Sequence, residues 1–472
     1  MNNKLVKSSI LSTSLLTVMA SAAISPALAK ISQAYPAADK TLIKLVLTLP
    51  SLLMIPFSLL SGWLVKRVRK KHLLLFGLFI YLLGGVGGGV ARTIRQLLVI
   101  RGIFGIGVGL IIPLSTSLIA DFFEGEERTK MMGLSGSVSH FGGVIFLLIS
   151  GWLACLSWRY AFGVYSLSII IILMIIFWLP EPVHKRPAGL TKSRLPAGVY
   201  VCALFGVFMM IAFYAAPTNL AMFIESERQM YTSSTPLFKD RQELLLHLQR
   251  GTISDVTRDS FRSNGIMLSD RASLAVQEPG LSWRITDRDK KYIVKKEVDK
   301  LVIYSERLGR PGIAGYFLSA MTLTGVVSGI ILTLLIRILG PYSSTVGIGL
   351  MGLGYLLLGR AGSLPTVLIA MLCIGFSSGI LMPILLLRVA RITPHVSRAL
   401  AMAVVSVGIY LGQFLSPVVL RGASVILGED PFRSQFNTLA LGLALATLVA
   451  VVIAIKNMKG QNSKTESGSL HH

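Results

Sequence analysis

Long apolar runs separated by short polar stretches set the pattern of the chain. Twelve of them approach or exceed the roughly 20 residues a helix needs to cross a hydrocarbon layer about 30 Å thick. They cover 8–29, 43–65, 73–92, 96–120, 131–155, 159–180, 198–223, 312–336, 343–359, 365–388, 399–421 and 436–455. Lipid offers no partner to an open backbone, and the runs lack the dyad alternation of a barrel strand, so each is predicted to be a helix. The expected fold class is an all-α polytopic membrane protein of twelve transmembrane helices. A small α+β extramembrane insert is expected in the long polar stretch after the seventh run.

Composition agrees with this reading. Of 472 residues 53% are hydrophobic and 14% charged, with a mean hydropathy of +0.68, whereas soluble domains carry about 25% charged residues. The net charge of +24 raises the question of nucleic acid, but its placement answers it. Nineteen Lys and Arg fall in the N-terminus, the alternate short loops and the tail, against eight in the opposite short loops. The positive-inside rule then predicts a multi-pass protein of the cytoplasmic membrane with both termini in the cytoplasm. Residues 1–29 imitate a secretory signal, yet the apolar run is longer than a signal core, and a retained first helix is expected. Cys155, Cys202 and Cys373 have no metal or disulfide spacing and read as packing residues.

An offset of 270 residues aligns Gly105 with Gly375, Gly109 with Gly379, Pro113 with Pro383, Arg128 with Arg398 and Gly142 with Gly412 without a gap. Such internal symmetry is common in transporters and makes helix 4 equivalent to helix 10. The expected organisation is a six-helix half over 1–180, a cytoplasmic loop over 181–197, helix 7 over 198–224, an outer insert over 225–311, helices 8–12 over 312–456 and a cytoplasmic tail over 457–472.

Three stretches carry a family resemblance. GWLVKRVRKK, residues 62–71, stands between helices 2 and 3; RGIFGIGVG, 101–109, lies in helix 4; SWRYAF, 157–162, opens helix 6. In these the chain resembles the major facilitator superfamily, most of all its twelve-helix drug and metabolite exporters. The first stretch matches the superfamily's G-x-x-x-D-R-x-G-R-[RK] at Gly62, Arg67, Lys70 and Lys71, while Lys66 replaces its Asp and Arg69 its second Gly. The resemblance implies a loop that helps lock the cytoplasmic gate, with Asp121 as the available acidic partner. The second stretch matches the helix 4 pattern at Arg101, Gly105, Gly107 and Gly109. An intramembrane Arg is costly unless it faces a partner or a wet cavity, so Arg101 is either a cavity or proton-path residue or an interface anchor. The exporters' helix 5 G-x-x-x-G-P is absent, and His140 comes near the place of its proline. His140 can shuttle protons or simply bond a neighbouring helix.

The resemblance further implies a central cavity lined by helices 1, 4, 7 and 10. Helix 7 offers Tyr214 and Asn219 with Pro217 between them, and helix 11 offers Tyr410 and Gln413. Aromatic and Met side chains suit an amphipathic organic substrate. The helix centres hold no Asp or Glu, so a proton carrier is sought at His140, Asp121 or Glu225.

In the insert, 240–251 reads as a helix stopped by Gly251, and 281–304 as three short strands. It has no Cys and no metal-ligand cluster. The expectation is a secondary transporter driven by a proton gradient, not an enzyme, with no cofactor, no metal and no ATP-binding loop. Its expected partners are a small-molecule substrate and the lipid bilayer, not nucleic acid; the insert's partner is unknown. Efflux of an amphipathic compound leads, with uptake of a small solute and a transporter-derived sensor as alternatives.

Overall fold

The computed structural model describes residues 3–65, 67–182, 195–226, 228–232, 238–262, 267–278, 282–287, 290–296, 301–306, 313–394, 397–427 and 431–468. It has two compact units, one formed by Met1–Ala221, Pro311–Ala361 and Pro365–His472, the other by Met222–Arg310 with Gly362–Leu364.

The first unit is helical. Its first half comprises α1 (Asn3–Ala22), α2 (Leu28–Ala34), α3 (Lys40–Leu64), α4 (Lys70–Gly87), α5 (Ile94–Phe122), α6 (Gly125–Leu156), α7 (Trp158–Ala161) and α8 (Ser168–Trp178). After α9 (Ala197–Ser226) and the second unit's elements, the other half continues with α12 (Ala314–Ile330), α13 (Leu332–Leu339), α14 (Ser343–Gly359), α15 (Leu364–Ile392), α16 (Arg398–Leu427) and α17 (Pro431–Gly468). Among the described residues ten helical stretches are long and apolar enough to cross a membrane, and Leu5–Leu16 and Ala314–Ile330 are shorter apolar helices.

Three predicted spans are not single helices; the sixth runs from α7 through a 3-10 segment, Phe162–Leu167, into α8. The first ends at Ala22 and turns through a 3-10 segment, Ser25–Ala27, before α2; Pro26 has no N–H with which to continue the ladder. The eighth breaks at Ile331, and α13 then ends at Gly340, whose φ of 52° closes the helix. Elsewhere local chemistry sets the starts. Asp39 caps α3 by accepting from the Thr41 N–H at 2.6 Å, and Thr93 caps α5 by accepting from the Gln96 N–H at 3.2 Å.

Glycines set the close approaches. A Cβ on Gly105 would stand 2.6 Å from the Pro50 carbonyl oxygen of α3, and one on Gly107 2.6 Å from the Tyr81 nitrogen of α4. The offset of 270 residues reappears in space. Gly105 faces α3 as Gly375 faces the Met321 carbonyl of α12, and Gly142 faces Leu15 of α1 as Gly412 faces the Val207 carbonyl of α9.

The second unit interleaves β1 (Arg228–Thr232), α10 (Phe238–Gln249), α11 (Asp255–Arg262), β2 (Ser273–Glu278), β3 (Ser282–Asp287), β4 (Lys290–Lys296) and β5 (Leu301–Glu306). The strands form one antiparallel sheet in the order β1-β5-β4-β3-β2. Alternate residues of β3, Trp283 and Ile285, enter a core with Leu244, Leu248, Phe261, Tyr292, Val294 and Ile303. Gly251, at φ 71°, stops the predicted helix. The three predicted strands are β3, β4 and β5. β1, β2 and α11 were not expected, because each is too short and polar to stand out from a loop.

Candidate functional site

A cavity of about 520 Å³ lies inside the first unit, a size that suits a drug-sized organic molecule. Gly133, Gly136, Ser137 and Leu147 of α6 form one wall. Met210, Phe213, Tyr214 and Pro217 of α9, Met321 and Thr322 of α12, Ser378 and Met382 of α15 and Gln413 of α16 form much of the rest. None of the described lining side chains is charged. The methionines supply a polarisable, adaptable surface, and the hydroxyls and amide supply orientation.

Contacts between the halves close one end of this cavity. At the rim the Asp39 carboxylate pairs with Arg421 at 2.8 Å. The Thr41 backbone N–H, followed by the Arg421 charge among lesser causes, holds the Asp39 carboxyl below the usual carboxylate range. Lys40 and Lys44 of α3 each lie 5.3 Å from the centre of the Phe432 ring of α17, and Lys44 Nζ, buried where Lys40 is exposed, donates to Gln435 Oε1 at 3.3 Å. Deeper still, Ser51 Oγ donates to Gln413 Oε1 at 2.8 Å. On the other flank the Ser25 hydroxyl donates to the Pro217 carbonyl, and Ser319 Oγ donates to the Val144 carbonyl at 3.2 Å. The cavity walls run from this seal toward the start of α6 and the end of α12, the face that carries the basic loop between α3 and α4.

That loop bonds within its own half. Lys70 is buried and donates to Asp121 Oδ2 at 2.5 Å and to Ser117 Oγ at 2.8 Å, tying the start of α4 to the end of α5. Lys71 Nζ donates to the Ile176 carbonyl at 3.0 Å. Arg67 is exposed and stacks on Trp63 at 4.2 Å, and Gly62 is exposed with open space at its Cβ position. Lys66 lies outside the described residues. Asp121 is thus the partner of the loop, through Lys70.

Arg101 is not among the described residues that line the cavity. It is fully buried, with its guanidinium 4.3 Å from the Phe104 ring centre and Nη1 donating to Tyr165 Oη at 3.3 Å. Its Nε donates to the Val46 carbonyl of α3 at 2.8 Å. That carbonyl would ordinarily accept from the residue four later, which is Pro50 and has no N–H. The charged side chain therefore supplies the donor that proline removes.

Of the remaining sequence candidates, Tyr214 and Gln413 reach the cavity. Asn219 is buried and donates to the Ala215 carbonyl of its own helix at 2.8 Å, and Tyr410 is half-buried and not among the described lining residues. The side chains of His140 and Glu225 lie outside the described residues. Two residues escaped notice. Tyr355 of α14 donates its hydroxyl to the Ala212 carbonyl and accepts from the Ala216 N–H at 3.2 Å, entering the α9 ladder just before Pro217. Lys44 stands one residue inside the second predicted span, and a lysine in an apolar run was the signal for it.

The sequence pattern described as Major Facilitator Superfamily matches residues 10–245, half of the chain. Multidrug resistance protein 3 of Bacillus subtilis (strain 168) is 35% identical over 21% of this chain and 20% of its own length. The arabinose-proton symporter of Escherichia coli (strain K12) is 26% identical over 26% of each chain. The chain thus spans about a fifth to a quarter of the length of these curated relatives. The crystal structure of the nucleoside transporter NupG superposes with a TM-score of 0.65 at 12% identity, covering 96% of this chain and 99% of that one, a likeness of fold. The chain belongs to the Major Facilitator Superfamily of membrane transporters.

Proposed function

We propose that this protein is a secondary transporter that exports a small hydrophobic or amphipathic compound across the cytoplasmic membrane by alternating access, in exchange for protons. The observation that carries the reading is the uncharged, methionine-rich cavity between two repeated halves, sealed at one end by contacts that cross from half to half. Positive charge places the basic loop in the cytoplasm, so the cavity opens inward and the seal is external. A substrate that partitions into the inner leaflet or cytosol enters a site of matching polarity. The likeness to a protein named for multidrug resistance supports export, and that to a proton symporter supports proton drive.

The test is flux in inverted membrane vesicles with the neutral fluorescent probe N-phenyl-1-naphthylamine. An acidic lumen is expected to accelerate loading of the probe, and collapse of the gradient to abolish the acceleration. Gradient-driven L-arabinose entry into right-side-out vesicles, with no movement of the naphthylamine, would overturn export in favour of uptake.

A further inference from the structure

The helices α6 and α12 meet at one end and part at the other. A Cβ on Gly315 would stand 3.0 Å from the Gly151 Cα and from the Leu147 carbonyl oxygen, and Ser319 donates to the Val144 carbonyl at 3.2 Å. Toward the start of α6 and the end of α12 the same faces turn to the cavity. Gly133, Gly136 and Ser137 line it from α6, and Val326, Gly329 and Ile330 line it from α12. Gly133 and Gly136 are exposed, and a Cβ on either would meet nothing within 4 Å.

This cleft runs into the outer surface of both helices. Residues three and four apart are neighbours on a helix, so Ser137 of the cavity wall adjoins Leu134 and Phe141, and Ile330 adjoins Val327. Leu134, Phe141 and Val327 are all exposed, and Ile330, itself a lining residue, is 76% exposed. Acyl chains are as apolar as such side chains and solvate them on a membrane-spanning helix. The cavity wall and the lipid face therefore meet at Ser137 on one edge and at Ile330 on the other. None of the residues at these edges is charged.

Exposed cations fix the depth. Lys130 of α6 stands seven residues before Ser137 and Arg337 of α13 seven after Ile330, roughly 10 Å along a helix, so the cleft lies at the level of acyl chains when these cations reach the head groups. A compound dissolved among acyl chains crosses an apolar cleft without exposing its apolar surface to water, whereas a route through an aqueous mouth exposes that surface first.

We propose that the cleft between α6 and α12 is a lateral portal through which the substrate passes between the acyl chains of the inner leaflet and the cavity. The substrate class narrows to compounds that dissolve in the bilayer and carry a weakly polar end for Gln413 and the cavity hydroxyls. The inference rests on the export reading and its orientation, and deepens it.

Two measurements in lipid nanodiscs test the portal, with Cys155, Cys202 and Cys373 replaced by serine. Bimane at Ser137→Cys should be quenched by phospholipid bearing a nitroxide on its acyl chain as strongly as bimane at lipid-facing Phe141→Cys, while bimane at Ser378→Cys, on the α15 wall, should not. A flexible bis-methanethiosulfonate staple between Leu134→Cys and Val327→Cys closes the cleft from outside without altering a lining residue. Association rates at one site vary over about one to three decades, and stapling is expected to slow both binding and release of N-phenyl-1-naphthylamine about tenfold at unchanged equilibrium affinity. Reduction of the staple should restore the rates. Unaltered rates in the stapled protein, a loss of affinity in place of rate, or quenching of the Ser137 label by aqueous iodide and not by lipid overturns the portal while export stands. A protein that fails to bind the naphthylamine before stapling, with Ser137 still quenched from lipid, overturns the substrate reading and upholds the portal.

Discussion

The Ser51 hydroxyl donates to Gln413 Oε1 at 2.8 Å, so the polar group that faces the cavity is also one that holds the two halves together. Among the described residues the Gln413 amide nitrogen donates to the Met210 sulfur at 3.9 Å, a weak partner that a substrate oxygen readily replaces. A neutral hydrogen bond contributes about 1 kcal/mol. Gln413→Leu should therefore raise the half-saturating concentration of a transported probe about fivefold, and Ser51→Ala should raise the long-distance population that double electron–electron resonance reads between spin labels at Ala37→Cys and Gly422→Cys.

Arg101→Met should lower stability by about 2 kcal/mol, the usual worth of a charged buried hydrogen bond, because the Val46 carbonyl loses its donor. Pro50→Ala returns an N–H to that rung, so the Arg101→Met cost should shrink in the Pro50→Ala background. Thermal unfolding of the four proteins in one detergent forms the cycle. Equal costs in both backgrounds would contradict the role of Arg101 as substitute donor.

Lys70 and Asp121 are 8% and 10% exposed and stand 2.5 Å apart. Removing one partner strands a buried charge at a cost of about 3–5 kcal/mol, while removing both is far milder. Lys70→Met and Asp121→Asn should each lower the unfolding temperature sharply. The double variant Lys70→Met/Asp121→Leu should recover most of the loss.

The Asp39 carboxyl is lowered in the folded protein, so its contribution to the seal is complete above the ordinary carboxylate range and fades as pH falls through its lowered value. Its pair with Arg421 is partly exposed and is worth about 0.2–1 kcal/mol. Asp39→Asn at neutral pH should shift the open-to-closed ratio up to about fivefold, and added salt should do so in the unaltered protein but not in the variant.

In the second unit, the first residue of β1, Arg228, pairs with the last of β5, Glu306, so its two ends are neighbours in one antiparallel ladder. A polypeptide of residues 222–310 should fold alone, with circular dichroism of mixed helix and strand and a cooperative melt. Trp283→Ala, which empties the centre of its core, should cost about 3–5 kcal/mol.

Which of the candidate residues share a surface was legible only where periodicity speaks. Gly105, Gly109, Gly375 and Gly379 carry their packing role in their spacing, since small residues four apart mark one helix face. Tyr214 and Gln413 line the cavity, but Asn219, on the same helix as Tyr214, turns to its own backbone. That Arg101 bonds the carbonyl freed by Pro50, fifty-one residues away and on another helix, has no signal in any local pattern.

The sequence by itself determined the membrane class, the helical character of the apolar runs and the three strands β3, β4 and β5. Each of these follows from local hydropathy or turn chemistry, which act along the chain. Only the tertiary structure decided that Lys70 finds Asp121, that Arg101 completes the backbone of α3, that Tyr355 enters the α9 ladder and that Lys44 is shut between the halves. Those outcomes depend on which helix faces which, and a buried polar group takes whatever partner packing brings within hydrogen-bond reach.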